Sequence, residues 1–308
     1  MKKNLSLVVT LLVSLVCFGQ TNQQISVAYP NHEVVRVISY NIWNGFENQS
    51  DVYRMEECAS WIKEIDPEIV ALQELCGFTE EKLAKFAKMY GHDYVAIQKE
   101  NGYPIGVTSK RPIEKIHVNT KDMGHGFIHV KTYGIDIIAT HLTPFNCNNR
   151  LAEARLVTSY ISDNKLEKFL VMGDLNSHSP FDAEQIETHT ELVRNYAVYG
   201  QNYPDKDNIR GDLLDYSVIS HFISHPMEDV IRLYVPVKER MTYPAFFLHA
   251  DNYKGKEHLL QRGERIDYIF SSYSLINSCI NGHVWNGEDT KYLSDHFPVG
   301  IDMLLKMD

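Results

Sequence analysis

Three stretches of the chain are almost unbroken in apolarity: VVRVISY (34 to 40), IVALQ (69 to 73) and KFLVMGD (168 to 174). Short runs rich in β-branched residues predict strands covered on both faces. Between the first two, Val52, Met55, Ala59, Ile62 and Ile65 recur at three- and four-residue intervals, which predicts an amphipathic helix ended near Asp66-Pro67. Residues 94 to 140 read as short strands with turns at Asn101-Gly102 and Tyr133-Gly134, closing on GIDIIATHL. Leu151, Ala154, Val157 and Ile161 form a second helical stripe ahead of KFLVMGD. RIDYIF (265 to 270) reads as a strand, and LSDHFPVGIDMLL (293 to 305) as a loop followed by a last strand. Residues 195 to 262 hold ten Tyr or Phe and nine acids against eight bases, without a clear period.

The helix-then-strand order of the first half returns in the second, with a polar motif at each strand end. That weak repeat predicts two sheets facing each other. No Gly/Ser/Pro-rich linker, low-complexity tract or long charge run breaks the pattern, so residues 34 to 308 are expected to form one domain after a tail at 20 to 33.

The first 19 residues belong to export. Lys2 and Lys3 precede an apolar run from Leu5 to Phe18, and Cys17 and Gly19 put small residues before Gln20, the grammar of a signal peptide. The run has 14 residues against the roughly 20 needed to cross a bilayer. The expectation is an exported protein, periplasmic or extracellular, monomeric and with no transmembrane segment in the mature chain. A lipid anchor on Cys17 is the weaker alternative, because Val16 stands where such signals have a small residue.

Removing Lys2 and Lys3 takes the net charge from −10 to −12, and the remaining 28 bases are scattered among 40 acids. A nonspecific grip on nucleic acid is disfavoured, since clustered Lys and Arg supply that affinity by releasing counterions. Cys58, Cys76, Cys147 and Cys279 fit no zinc spacing. Export permits disulfides, with three pairings open, but a domain this large does not need them, and buried free thiols are at least as well supported.

The chemistry sits at the strand ends. VMGDLNSHSP (171 to 180) brings Asp174, Asn176 and His178 to the point where an apolar run surfaces. Asn41 follows VVRVISY, Glu74 follows IVALQ, His141 follows DIIAT, Asp267 lies within RIDYIF, and Asp295 and His296 precede the final strand. Each has an ordinary explanation alone: a turn residue, a solvated strand end, a hydrogen-bonded histidine. Jointly, four carboxylates, two amides and two histidines on one edge would repel strongly unless a cation neutralised them. Oxygen-rich ligands select a hard ion, Mg²⁺, with Mn²⁺ or Ca²⁺ as substitutes.

S-Y-N-I-W-N-G, L-Q-E-L, A-T-H-L, G-D-L-N-S, R-I-D-Y-I-F and S-D-H-F-P-V, in this order over residues 34 to 305, resemble the endonuclease/exonuclease/phosphatase superfamily of metal-dependent phosphoesterases. The resemblance implies an α/β four-layer sandwich, two facing mixed β-sheets with helices on the outside. It implies Asn41, Glu74 and Asp295 around the principal metal, and Asp174 and Asn176 positioning the attacking water and the phosphoryl oxygens. His296, oriented by Asp267, would manage a proton, and His141 would stabilise the phosphoryl group. Mg²⁺ suits such a reaction because an anionic ester needs charge neutralisation before water attacks in line. Asp174 and His296 both stand as candidates for the base.

Repair nucleases of the superfamily carry a second acid two residues after the first Asn, where this chain has Trp43; a second metal there is doubtful. Trp43 and Asn44 line the pocket, or Trp43 is core. His178 is expected just outside the ligand set. Tyr103, His125 and Arg155 are candidate pocket residues, each equally well read as an exposed loop or ion-pair residue. T-Y-P-A (242 to 245) resembles the exported bacterial members, and AFFL (245 to 248) reads as a buried strand more readily than as a membrane wedge. The expected activity is hydrolysis of phosphodiesters of small-molecule or lipid substrates. A secreted nuclease, or a surface-binding protein that has lost the chemistry, is the alternative.

Overall fold

The computed structural model describes residues 31–246 and 263–306. The expected signal peptide, the tail up to residue 30, and Phe247-Leu248 lie outside the described residues.

One sheet is built from β1 (His32–Asn41), β2 (Ile69–Gln73), β3 (Tyr94–Ile97), β4 (Gly106–Ser109), β13 (Cys279–Val284) and β14 (Val299–Lys306), in the order β13-β14-β1-β2-β4-β3. The other uses β5 (Glu114–Asn119), β6 (Gly126–Thr132), β7 (Ile135–His141), β8 (Phe169–Asp174), β11 (Met227–Asp229) and β12 (Asp267–Ser272), ordered β11-β12-β8-β7-β6-β5. A two-stranded hairpin, β9 (Ile209–Arg210) and β10 (Leu213–Leu214), stands apart. Each large sheet is antiparallel except for one parallel pair, β1 with β2 and β7 with β8. A parallel pair needs a crossover, supplied by helix α1 (Val52–Ile65) in the first case and a long helix at Cys147–Asp163 in the second. The weak internal repeat is thus a real correspondence between the two halves.

Both faces of the central strands are covered, which is why they read as continuous apolar runs. Val35, Val37, Ile69 and Ala71 point inward and meet Ile137, Ala139, Leu170 and Met172 of the other sheet. Their alternates, Ile38, Tyr40, Val70 and Leu72, pack outward on Ala59 and Ile62 of α1 and on Leu83 and Phe86 of α2 (Glu80–Met89). On the far side, Ile138, Phe169 and Val171 cover Ala154, Val157 and Ile161 of α3 (Cys147–Asp163). The period of two places alternate side chains on opposite faces, and each fully buried aliphatic contributes about 1.5–3 kcal/mol. The result is the α/β four-layer sandwich.

The described part of the aromatic-rich region, 195 to 246, holds most of α5 (Thr190–Asn202), the β9-β10 hairpin, α6 (Ser217–Ile223) and α7 (Val230–Tyr234), with α4 (Ala183–Glu187) just before it. Ala245 and Phe246 are buried against Phe297, so the start of AFFL has the expected core role, but these two residues do not lie in a strand. Cys58, Cys76, Cys147 and Cys279 are buried free thiols.

Candidate active site

The strand register carries the polar ends to one edge. Asn41 is the register partner of Gln73, so Glu74 follows directly beside it. His141 pairs with Asp174 across β7 and β8, and β12 runs antiparallel to β8 with Asp267 opposite Asp174. Because β14 is antiparallel to β1, with Val299 opposite Ser39, the loop holding Asp295 and His296 arrives at the same edge.

Asp174 is the hub. It accepts from Asn41 Nδ2 at 3.0 Å and from the Asn176 backbone N–H at 2.9 Å. His141 Nε2 lies 3.4 Å from its Oδ2, and His296 Nε2 lies 3.6 Å from the same atom. The other ring nitrogen of His296 is 2.9 Å from Asp267 Oδ2. Asn41 Nδ2 also donates to Glu74 Oε1 at 3.2 Å, while its Oδ1 accepts from the Trp43 N–H at 3.0 Å. The Ser294 hydroxyl reaches the Asn41 carbonyl at 2.7 Å and Asp295 Oδ1 at 3.2 Å. Asn176 Nδ2 donates to the Leu142 carbonyl at 2.9 Å, which fixes the loop after His141. All eight candidates read from the sequence belong to this one edge.

Between Asn41 and α1 the chain does something its sequence pattern hides. Trp43 to Gln49 wind in the left-handed sense, with φ between 48° and 69°. For a residue with a Cβ that costs roughly 1–2 kcal/mol. The compensation is local: the Asn44 N–H donates to Glu74 Oε2 at 2.8 Å, and Phe46 is fully buried. Gly45 is required outright, since a Cβ there would lie 2.2 Å from the Cys76 carbonyl oxygen. Glu74 itself has φ 61°, so both sides of this contact are held in an unusual backbone. Trp43 is half-buried, its ring 5.4 Å from the Arg54 guanidinium.

A sequence model of the Endonuclease/Exonuclease/phosphatase family matches residues 38–296. The chain belongs to that family. An uncharacterised Caenorhabditis elegans protein is 25% identical over 141 residues, which is 43% of each chain; the match thus spans less than half of that relative. Among solved structures, an AP endonuclease from Archaeoglobus fulgidus superposes with a TM-score of 0.62 at 17% identity, over 87% of this chain and 99% of that one. A 3′-5′ exonuclease from Neisseria meningitidis gives 0.63 at 16% identity over the same shares. A Neisseria 3′ phosphatase bound to product DNA hairpin gives 0.61, also at 16% identity over these shares. At these identities the likeness is one of fold, and that fold is the endonuclease/exonuclease/phosphatase sandwich.

The electrostatics of this endonuclease/exonuclease/phosphatase site follow from its burial. Burial raises the Asp174 carboxyl, but His296 and His141 outweigh it and hold the group below the ordinary carboxylate range. For Asp295 burial prevails and, with the charges of Glu74 and Asp174, pushes the carboxyl up to about 6 against the opposing pull of His296. Burial opposes a charge on His296, yet Asp267, Asp174 and Asp295 together hold its imidazole well above the ordinary value. His141 is raised too, Asp174 overcoming burial. Asp267 Oδ1 and His141 Nδ1 are buried without a hydrogen-bond partner among the described residues.

Mutually repelling buried acids fit a cation. Glu74 and Asp295 offer carboxylate oxygens, the donors a hard divalent ion prefers, whereas Asn41 turns its amide nitrogen to Glu74 and Asp174 and its oxygen to the Trp43 N–H. Asp174, Asp267 and His296 also bring ligand atoms within 4.8 Å of one another, but His296 Nδ1 is already engaged with Asp267, an arrangement that orients an imidazole.

Further residues of the endonuclease/exonuclease/phosphatase site lie in T-Y-P-A or S-D-H-F-P-V, motifs that gave them no role of their own. Thr242 Oγ1 accepts from the backbone N–H of Asp267 at 3.2 Å, and the Tyr243 ring lies 5.0 Å from that of His296. Ser294, beside Asp295, was legible as a neighbour only. His125 stacks on His141, ring centroids 4.3 Å apart. His178 turns away, bonding Glu264 Oε2 at 2.5 Å, and Tyr196 shares that carboxylate at 3.0 Å. Arg155 lies on the exposed face of α3.

Proposed function

We propose that the protein is an exported, Mg²⁺-dependent phosphoesterase that hydrolyses phosphodiester bonds of small-molecule or lipid substrates. The observation that supports this most is the Asp174 hub, a buried carboxylate joined to an amide, a backbone N–H and two histidines, beside further acids drawn to one edge. In this reading Asn41, Glu74 and Asp295 hold the ion, which when bound neutralises charge on the phosphoryl group. Asp174 and Asn176 orient the attacking water. Asp267 fixes the tautomer of His296, leaving Nε2 free to take or return a proton on the Asp174 side. His141, carrying positive charge beside Asp174, steadies the phosphoryl oxygens.

The test is purified protein on bis(4-nitrophenyl) phosphate, sphingomyelin and plasmid DNA, with Mg²⁺ and with EDTA. Turnover that survives EDTA rejects the metal mechanism. A second reading, a secreted nuclease, is favoured by the DNA-directed names of the Archaeoglobus and Neisseria neighbours; rapid plasmid degradation without sphingomyelin cleavage selects it. Export rests on the N-terminal signal, and the mass of the protein recovered from its own cells checks it: a chain starting at Gln20 is expected, and a chain retaining residues 1–19 refutes it.

A further inference from the structure

His141 and His125 stack with ring centroids 4.3 Å apart, and His125 and Tyr103 meet edge-on at 5.1 Å. The two outer residues come from separate loops that are tied together. Gln98 Nε2 donates to the carbonyls of His125 at 2.9 Å and Asn119 at 3.3 Å, and Lys99 Nζ donates to the His125 carbonyl at 3.0 Å. Gly126, at φ 95°, lies so close to this pair that a Cβ would be 2.1 Å from Asn119 O and 2.5 Å from Gln98 Nε2. The backbone under His125 is therefore rigid, whereas no hydrogen bond to the rest of the described chain engages its ring nitrogens. The Tyr103 side chain stays 42% exposed. The His125 imidazole is half-buried and its ring nitrogens are not among the buried, unpartnered polar atoms of the described residues, so the ring offers both a packed face and a polar edge to a ligand.

We propose that Tyr103 and His125 form a preorganised wall that recognises a planar ring carried by a phosphoester of mononucleotide size. It deepens the phosphoesterase reading of this site and rests on it. Rings meet rings in stacked or edge-on geometry, the arrangement Tyr103, His125 and His141 already adopt among themselves. A ring on the ester would continue that series while its phosphate lies at Asp174 and His141. Both recognising side chains carry a polar handle as well as a face, which suits a heteroaromatic or substituted aryl ring more than a bare alkyl chain.

The experiment reads binding, so that it stands even if the enzyme turns over none of the substrates tried. Adenosine 5′-monophosphate and inorganic phosphate are titrated calorimetrically into the wild type, Tyr103→Ala/His125→Ala and Tyr103→Phe/His125→Phe proteins in Mg²⁺. The wild type is expected to prefer the nucleotide at least tenfold, the alanine pair to lose that preference while binding phosphate as before, and the phenylalanine pair, which keeps the ring faces but not the polar handles, to retain only part of it. With bis(4-nitrophenyl) phosphate, the alanine pair is expected to raise KM about tenfold and change kcat less than threefold. Equal nucleotide preference in wild type and alanine variant overturns the wall. So does a fall in kcat at constant KM, which would assign His125 to positioning His141 instead. A single-stranded oligonucleotide that binds far more tightly than the monophosphate overturns the mononucleotide size.

Discussion

At the scale of single residues, the strongest expectations attach to the histidine that contacts two acids. Replacing His296 with Gln removes its imidazole from both Asp267 and Asp174 and is expected to lower kcat by about 10²–10⁴-fold, the range for a positioned proton-transfer group. Asp267→Asn leaves the shape intact but offers His296 Nδ1 a donor in place of an acceptor; kcat is expected to fall about tenfold or more while KM holds, and steady-state kinetics with a thermal melt separates this from unfolding. Glu74 and Asp174 were legible because an acid at the end of an apolar run stands out, and Asp295 because it sits in S-D-H-F-P-V ahead of the last strand. Thr242, Tyr243 and Ser294 were legible as motif members but not as contacts of the site, because nothing in a sequence distinguishes a hydroxyl aimed at a catalytic backbone from one aimed at solvent. His125 stood among the candidates, but its stacking on His141 depends on the β6-β7 register that sets Gly126 opposite His141.

Elements were legible where burial imposes a simple period and opaque where the backbone itself is unusual. β1, β2, β8 and α1 appear within two residues of their expected bounds. Helix α2 carries Leu83, Phe86, Ala87 and Tyr90 at helical spacing, yet a reading centred on strands passes over it. The left-handed run from Trp43 has no periodic signature at all. Its dependence on Gly45 makes it testable: Gly45→Ala is expected to destabilise the fold by a few kcal/mol, through left-handed strain and the clash with the Cys76 carbonyl, and to weaken Mg²⁺ binding because the Asn44 amide leaves Glu74. Urea melts and calorimetric titration measure both. Between α2 and β4, buried His92 bridges Thr108 Oγ1 and the Pro67 carbonyl, each at 2.8 Å. Burial pushes its imidazole down to about 4 from an ordinary 6.5. The unfolded chain thus binds the proton more readily, so stability is full above about pH 6.5 and is lost as pH falls toward 4, by about 3 kcal/mol for this one group. Chemical denaturation from pH 7.5 to 4.5 is expected to show that slope in the wild type and a shallower one in His92→Gln.

Over the whole molecule, the two-sheet architecture and its acidic edge were both foreshadowed, since strand ends in two half-repeats converge only if the sheets face each other. That convergence sets a conflict between stability and function. Asp295 is 8% exposed and its carboxyl is pushed up to about 6 by burial and by Glu74 and Asp174. A carboxyl raised in the folded state binds protons more readily there than in the unfolded chain, so in EDTA stability falls as pH rises from about 4 and the loss is complete above about 6, at on the order of 1–3 kcal/mol. Asp295→Asn removes that repulsion and is expected to melt several degrees higher than the wild type in EDTA at pH 7.5. A cation bound only to the folded state contributes about 2.7 kcal/mol at a hundredfold excess over Kd, and the variant has lost one of the oxygens proposed to hold it. Adding Mg²⁺ should therefore raise the wild-type Tm and leave the variant nearly unmoved, closing or reversing the gap. Differential scanning calorimetry of both proteins in EDTA and in Mg²⁺ decides it: if Asn at 295 lowers Tm in EDTA, or if the two proteins respond alike to Mg²⁺, then Asp295 is a structural acid and the ion is held elsewhere.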